Sequence, residues 1–179
     1  MSRTNWLILT LALLAAIAGG YVGRRHPHAS LSMDSPLIGQ LVPSLVLPDL
    51  DGKPHALNEY RGHRVVLNFW ASWCGPCLQE MPILARAQKN VGDRLPRVIG
   101  IAMDDSVSVR RFLVAHAVNY PILLGQLSPP STSLLLGDTA ELLPYSVLVG
   151  ADGRILATHM GALSDSQVQQ WLKPGLTAD

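Results

Sequence analysis

A chain of 179 residues has room for one domain and little more, and 48% hydrophobic residues supply one sizeable core. The formal net charge is +1. No basic stripe runs along the chain, so nucleic acid would find no electrostatic footprint. With two cysteines in all, the fold does not rely on a framework of structural disulfides.

In chain order, Trp6 to Val22 is an almost unbroken apolar run, preceded by Arg3 and the α-amino group and followed by Arg24-Arg25. This is the pattern of an export signal. Ala16-Ile17-Ala18 has the small-x-small form that a signal peptidase accepts. A run of about 17 residues is also the lower limit for a helix that spans a bilayer. The expectation is a retained anchor over residues 1–23, with a cleaved signal peptide as the alternative. Residues 24–35 are polar and aperiodic, a tether. The folded domain is expected over 36–175.

Within it, Leu45-Val46-Leu47 and Lys53-Pro54-His55-Ala56-Leu57 flank Asp51-Gly52 and predict a short hairpin. Val65 to Trp70 is a near-continuous apolar run, as in a strand buried on both faces, interrupted by Asn68. Trp73-Cys74-Gly75-Pro76-Cys77 follows at once and holds both cysteines. A helical stretch from Leu78 to about Asn90 comes next, with Pro82 inside it, where proline kinks a helix. Strand, tight turn and helix are the context that makes a C-x-x-C pair a redox motif. A helix N-terminus offers unpaired N–H groups and the positive end of the dipole, which favour a thiolate. The thiolate is the form that attacks a disulfide. Two blander uses fit worse. A bridge over so short a loop removes little chain entropy. A structural zinc site wants about four ligands, and no histidine pair stands at ligand spacing.

Further on, Val98 to Ala102 predicts a strand, and Asp104-Asp105-Ser106 can cap a helix carrying Val109, Phe112, Leu113 and His116. Tyr120 to Leu124 is a short edge strand, because Pro121 excludes a central one. A loop over Ser128–Ser131 leads to a short helix around Thr132–Leu136. Tyr145 to Val149, the turn Ala151-Asp152-Gly153 and Arg154 to Thr158 form a second hairpin. Ser164 to Leu172 is a capped C-terminal helix with Val168, Trp171 and Leu172 facing inward.

The run Trp70-Ala71-Ser72-Trp73-Cys74-Gly75-Pro76-Cys77 resembles the active site of the thioredoxin fold. The continuation Leu78-Gln79-Glu80-Met81-Pro82 resembles the TlpA/ResA-like branch, bacterial thiol–disulfide oxidoreductases that are exported or membrane-tethered. The likeness runs from about Pro36 to Leu172. It implies an α/β domain with a central mixed sheet flanked by helices. It further implies an N-terminal β-hairpin, a strand–helix–strand insertion of TlpA type and one preceding membrane or signal helix. It implies Cys74 as the attacking nucleophile and Cys77 as the resolving thiol, with Gly75 and Pro76 as support, Trp73 and Trp70 shaping an apolar rim, and plain core as the equal alternative for Trp70. It makes Pro144 the cis-proline against the cysteine pair, and Leu143 the backbone that pairs with substrate. Tyr145 stands where the family more often has Thr or Ser, leaving the groove surface open. Glu80 would lie near the cysteines and tune them. Its other possibility is a solvated helix residue. Asn68 stands where thioredoxins have a buried Asp that moves protons; Asn cannot titrate, so the chain would use water or another group for that step, and the alternative is that Asn68 only bonds neighbouring backbone.

The likeness also implies a redox-active disulfide with no metal or organic cofactor, protein thiols and disulfides as substrates, and a membrane thiol-transfer protein as electron donor. It places the domain in the periplasm, tethered to the bacterial inner membrane by the N-terminal helix. Reduction of apocytochrome c or copper-site cysteines would be the typical task. The competing chemistries are a disulfide-forming oxidase or isomerase, a peroxiredoxin-like thiol peroxidase and a copper chaperone. Ser72-Trp73-Cys74 lacks the Thr-x-x-Cys spacing of a peroxidase, and His159 is the only histidine near the second hairpin.

Overall fold

The computed structural model describes residues 35–91 and 97–173. The expected anchor over residues 1–23 lies outside them, as does the expected tether over residues 24–35 except for Ser35, which is described and buried. No helix among the described residues is long and apolar enough to cross a membrane.

The N-terminal hairpin forms as β1 (Val46–Pro48) antiparallel to β2 (Pro54–Ala56). Its turn carries Gly52 at φ +81°, a conformation open to glycine at no steric cost. Asp49 Oδ1 accepts the Asp51 and Lys53 N–H groups, which closes the turn. A 3₁₀ turn, Leu57–Tyr60, follows directly and was not foreseen from the sequence. His55 ties hairpin to turn, with one ring nitrogen 2.8 Å from Glu59 Oε1 and the other 3.1 Å from Asp49 Oδ2.

The main sheet has five strands in the order β5-β4-β3-β6-β7. These are β3 (Val65–Trp70), β4 (Val98–Ala102), β5 (Ile122–Leu124), β6 (Tyr145–Val149) and β7 (Ile155–Met160). The β3–β4 and β4–β5 pairs are parallel; β3–β6 and β6–β7 are antiparallel. The sheet is therefore mixed. β3 is central and buried at all six positions, as its apolar run requires. β5 sits at the edge with Pro121 just before it, where a missing N–H breaks no ladder.

Four helices complete the described chain: α1 (Gly75–Val91), α2 (Ser106–Ala115), α3 (Thr132–Leu135) and α4 (Asp165–Leu172). α1 begins three residues earlier than the sequence suggests, which takes Cys77 into its first turn. Asp105, rather than its neighbours, caps α2, its carboxylate accepting the Val107 and Ser108 N–H groups. Ser164 caps α4 in a full capping box with Gln167.

Side chains alternate across the sheet, so β3 contributes to two cores. Val66 and Trp70 join Leu84 of α1, Val109 of α2 and Val168 of α4 on one face. Val65, Leu67 and Phe69 join Leu47, Leu57, Ile99 and Leu136 on the other, beneath the hairpin and the 3₁₀ turn. Asn68 shares the parity of Val66 and Trp70 and so points at the helices. The fold is a thioredoxin-type α/β domain.

Candidate active site

Cys74 is the residue immediately before α1, at the junction the strand–turn–helix pattern predicts. The Leu78 N–H donates to the Cys74 carbonyl at 3.3 Å, which makes Cys74 the N-cap. The Cys77 N–H points at Cys74 Sγ at 3.3 Å, as a capping side chain receives its bond. The two cysteines form a disulfide. Cys77 is fully buried and Cys74 is 4% exposed. Gly75 and Pro76 occupy the first two helical positions, where proline costs no internal hydrogen bond. A side chain at Gly75 would meet nothing within 4 Å, so the face beside Cys74 is open.

The two tryptophans part company. Trp73 is 71% exposed beside Cys74 and forms the apolar rim. Trp70 is fully buried, its ring against Phe112 at 5.3 Å. Its parity on β3 sends it into the helix-side core, so it is not part of the rim.

Glu80 is not a solvated helix residue. It is fully buried, one turn beyond Cys77 on the face that α1 turns to the sheet. Asn68 Nδ2 donates to its Oε1 at 2.7 Å, and the Leu163 N–H donates to its Oε2 at 2.8 Å. Burial pushes the carboxyl up to about 7, and the two donors offset only part of that. The Asn68 amide nitrogen bonds side chains, not the neighbouring backbone. It also donates to Ser146 Oγ at 3.0 Å, its direct register partner on β6. Tyr120 lies in the same core, its phenol raised above the usual range by burial and then by the charge of Glu80.

The Leu143–Pro144 peptide bond is cis. The Pro144 carbonyl accepts the Gly161 N–H at 2.8 Å, which fixes this loop to the end of β7. Leu143 packs against the cluster that contains both cysteines. Tyr145, which left the groove surface open in the sequence, turns away from it. It is 3% exposed, lies tilted against the Phe69 ring and donates its hydroxyl to the Leu136 carbonyl at 3.0 Å.

Sequence reasoning missed Ser146 and Leu163, whose link to Glu80 needs the strand register and the tertiary path. It also missed the clamp between Ser72 and Asp104. The Asp104 carboxylate accepts the Ser72 hydroxyl at 2.5 Å and its N–H at 3.1 Å, and so ties the loop before Cys74 to the end of β4. Two acidic residues directly after a buried strand were the available signal. No group of three or more His, Cys, Asp or Glu able to hold a metal occurs among the described residues.

Residues 37–172 match the Redoxin family. The chain belongs to that family. It is 28% identical over 144 residues to the thiol-disulfide oxidoreductase ResA of Bacillus subtilis, covering 78% of each chain. It is 26% identical over 173 residues to the ResA of Bacillus cereus, covering 96% of this chain and 97% of that one. Among solved structures it is similar to the exposed lipoprotein thioredoxin Etrx1 of Streptococcus pneumoniae, with 26% identity and a TM-score of 0.59. That match covers 72% of this chain and 97% of the other. The protein is a ResA-like thiol–disulfide oxidoreductase of thioredoxin fold.

Proposed function

We propose that this oxidoreductase works as a reductant outside the cytoplasm, with Cys74 as nucleophile and Cys77 as resolving thiol. The observation that carries the reading is the cysteine pair at the N-terminus of α1, backed by a buried carboxyl that titrates near neutrality. In the reduced chain, the Cys74 thiolate attacks one sulfur of a substrate disulfide. A Cys74–substrate disulfide forms, and the other substrate sulfur leaves as thiolate and takes a proton from water. Cys77 gives its proton to the Glu80 carboxylate and attacks Cys74 Sγ. The second substrate thiolate leaves, and the chain keeps the Cys74–Cys77 disulfide. Two electrons have moved to the substrate. Glu80 suits the proton step because its two forms are near balance at neutral pH. Asn68 holds one carboxylate oxygen and so orients it. Trp73, Leu143 and Pro144 form the surface that meets substrate, and no metal or organic cofactor enters any step.

The apolar run Trp6–Val22 supports a retained inner-membrane anchor with the domain in the periplasm, the alternative being cleavage after export. Apocytochrome c or copper-site cysteines are the proposed substrates. An oxidising compartment would then require electrons from a membrane thiol-transfer protein. Regeneration reverses the exchange: the donor's dithiol reduces Cys74–Cys77 and is itself oxidised.

The test is the reduction potential of the Cys74–Cys77 pair, measured on the full chain against thiol–disulfide buffers. A value near or below about −230 mV, between thioredoxin and the glutaredoxins, is expected. A value above about −180 mV, towards isomerases and strong oxidants, would mean that the protein forms or reshuffles disulfides instead.

A further inference from the structure

The segment that joins α3 to the cis peptide is held by two buried side chains that the redox steps do not use. Asp138 is fully buried. Its Oδ1 accepts the Leu142 N–H at 3.2 Å, and its carbonyl accepts the Glu141 N–H at 3.2 Å. Its own N–H donates to the Ser133 carbonyl at 3.0 Å. Ser131, also buried, caps α3 by accepting the Leu134 N–H at 3.2 Å and donates to Glu141 Oε1 at 2.6 Å. Between these two pegs Glu141 has φ +50°, a conformation that costs a residue with a side chain. Burial raises the Asp138 carboxyl above its ordinary range, and the Leu142 and Glu141 N–H groups offset part of this. An apolar side chain would fill the same space without that desolvation cost. What the carboxylate adds is its hold on the Leu142 N–H, with the Glu141 N–H and the Ser133 hydroxyl beside it.

The next residue shows what is being held. Among the described residues, the N–H and carbonyl of Leu143 have no hydrogen-bond partner in the chain. Its neighbours on both sides are pinned, Leu142 to Asp138 and Pro144 to Gly161. A free donor and acceptor at a fixed angle form a pairing edge for an extended peptide.

We propose that Asp138 is the positioning residue of the substrate edge: by holding Leu142 it aims the Leu143 backbone at an extended peptide that carries the reacting sulfur. The assignment rests on the thiol–disulfide reading above. A disulfide too small to pair with Leu143 gains nothing from Asp138.

The experiment compares two probes on the full chain. One is a peptide disulfide with extended flanks; the other is the small aromatic disulfide dithiobis(nitrobenzoate). Asp138→Ala is expected to raise KM for the peptide about tenfold, on the scale of one lost hydrogen bond to a charged group. Its kcat, its rate with the small disulfide and the Cys74–Cys77 potential stay at wild-type values. Asp138→Asn, whose Oδ1 still accepts the Leu142 N–H, stays close to wild type. An unchanged peptide KM in Asp138→Ala, or an equal loss on both probes, overturns the assignment. If Asp138→Ala does not fold, amide exchange in the wild type decides. Protection of Leu142 relative to Leu143 supports the hold, and equal exchange at the two overturns it. A wild type that exchanges with neither probe would remove the redox reading and this assignment together, a different signature from lost discrimination between probes.

Discussion

A carboxyl group sealed in an apolar core titrates where its surroundings place it. Glu80 has no exposed surface, and two donors return only part of what burial removes, so it sits at about 7 instead of the usual 4.5. Below that pH it is a proton donor and above it an acceptor. The exchange rate of the reduced chain with a peptide disulfide should therefore show an inflection near pH 7. Glu80→Gln should abolish the inflection and shift the Cys74 thiolate titration. A rate profile and thiolate absorbance that match the wild type would exclude Glu80 from the proton step. The position of Glu80 one turn after Cys77 was legible in the sequence, because helical spacing alone sets it. Its burial was not, since that depends on which face of α1 meets the sheet. The same limit applied to Trp70, for which the motif left rim and core both open and whose strand parity puts it in the core.

Among the elements, β3 and α1 were the most legible, for a physical reason. A strand buried on both faces has few polar residues, and a helix that begins with Cys-Gly-Pro-Cys has its start marked. Boundaries moved where hydrogen bonds rather than side-chain pattern decide them: α1 starts at Gly75, and the turn Leu57–Tyr60 follows β2 without a break. The start of α4 is a case where local chemistry was sufficient. Ser164 and Gln167 satisfy each other's backbone donors at the helix entrance. The adjoining Leu163 N–H is spent on Glu80. Ser164→Ala should cost about 1 kcal/mol of stability, seen as a lower urea midpoint with an unchanged slope. If the helix entrance also sets the Leu163 amide, the same variant should raise the Glu80 titration, because a slackened donor favours the neutral acid. An unaltered Glu80 titration would show that Leu163 is held independently of the cap.

For the whole molecule, the raised carboxyl makes stability depend on pH in a stated direction. The folded chain binds the Glu80 proton more tightly than the unfolded chain does. Its contribution is complete below the unfolded value of 4.5 and is lost as pH rises through about 7. A shift from 4.5 to about 7 corresponds to about 3 kcal/mol. In the oxidised chain, where neither cysteine titrates, urea unfolding at about pH 5 and about pH 8 should differ by that order more in the wild type than in Glu80→Gln. Equal differences in the two chains would mean that solvent reaches the carboxyl.

By itself the sequence determined the cysteine pair, the strand before it, the helix after it and the cis proline ahead of the second hairpin. Each follows from local spacing, turn chemistry or likeness to a known motif over a few consecutive residues. Only the tertiary structure decided that Asn68, Ser146, Glu80 and Leu163 form one buried polar cluster, and that Asp138 holds the loop before Pro144. Those contacts join residues from different strands, helices and loops. They arise when sheet register and helix packing bring distant parts of the chain to one face, and no local pattern records that outcome.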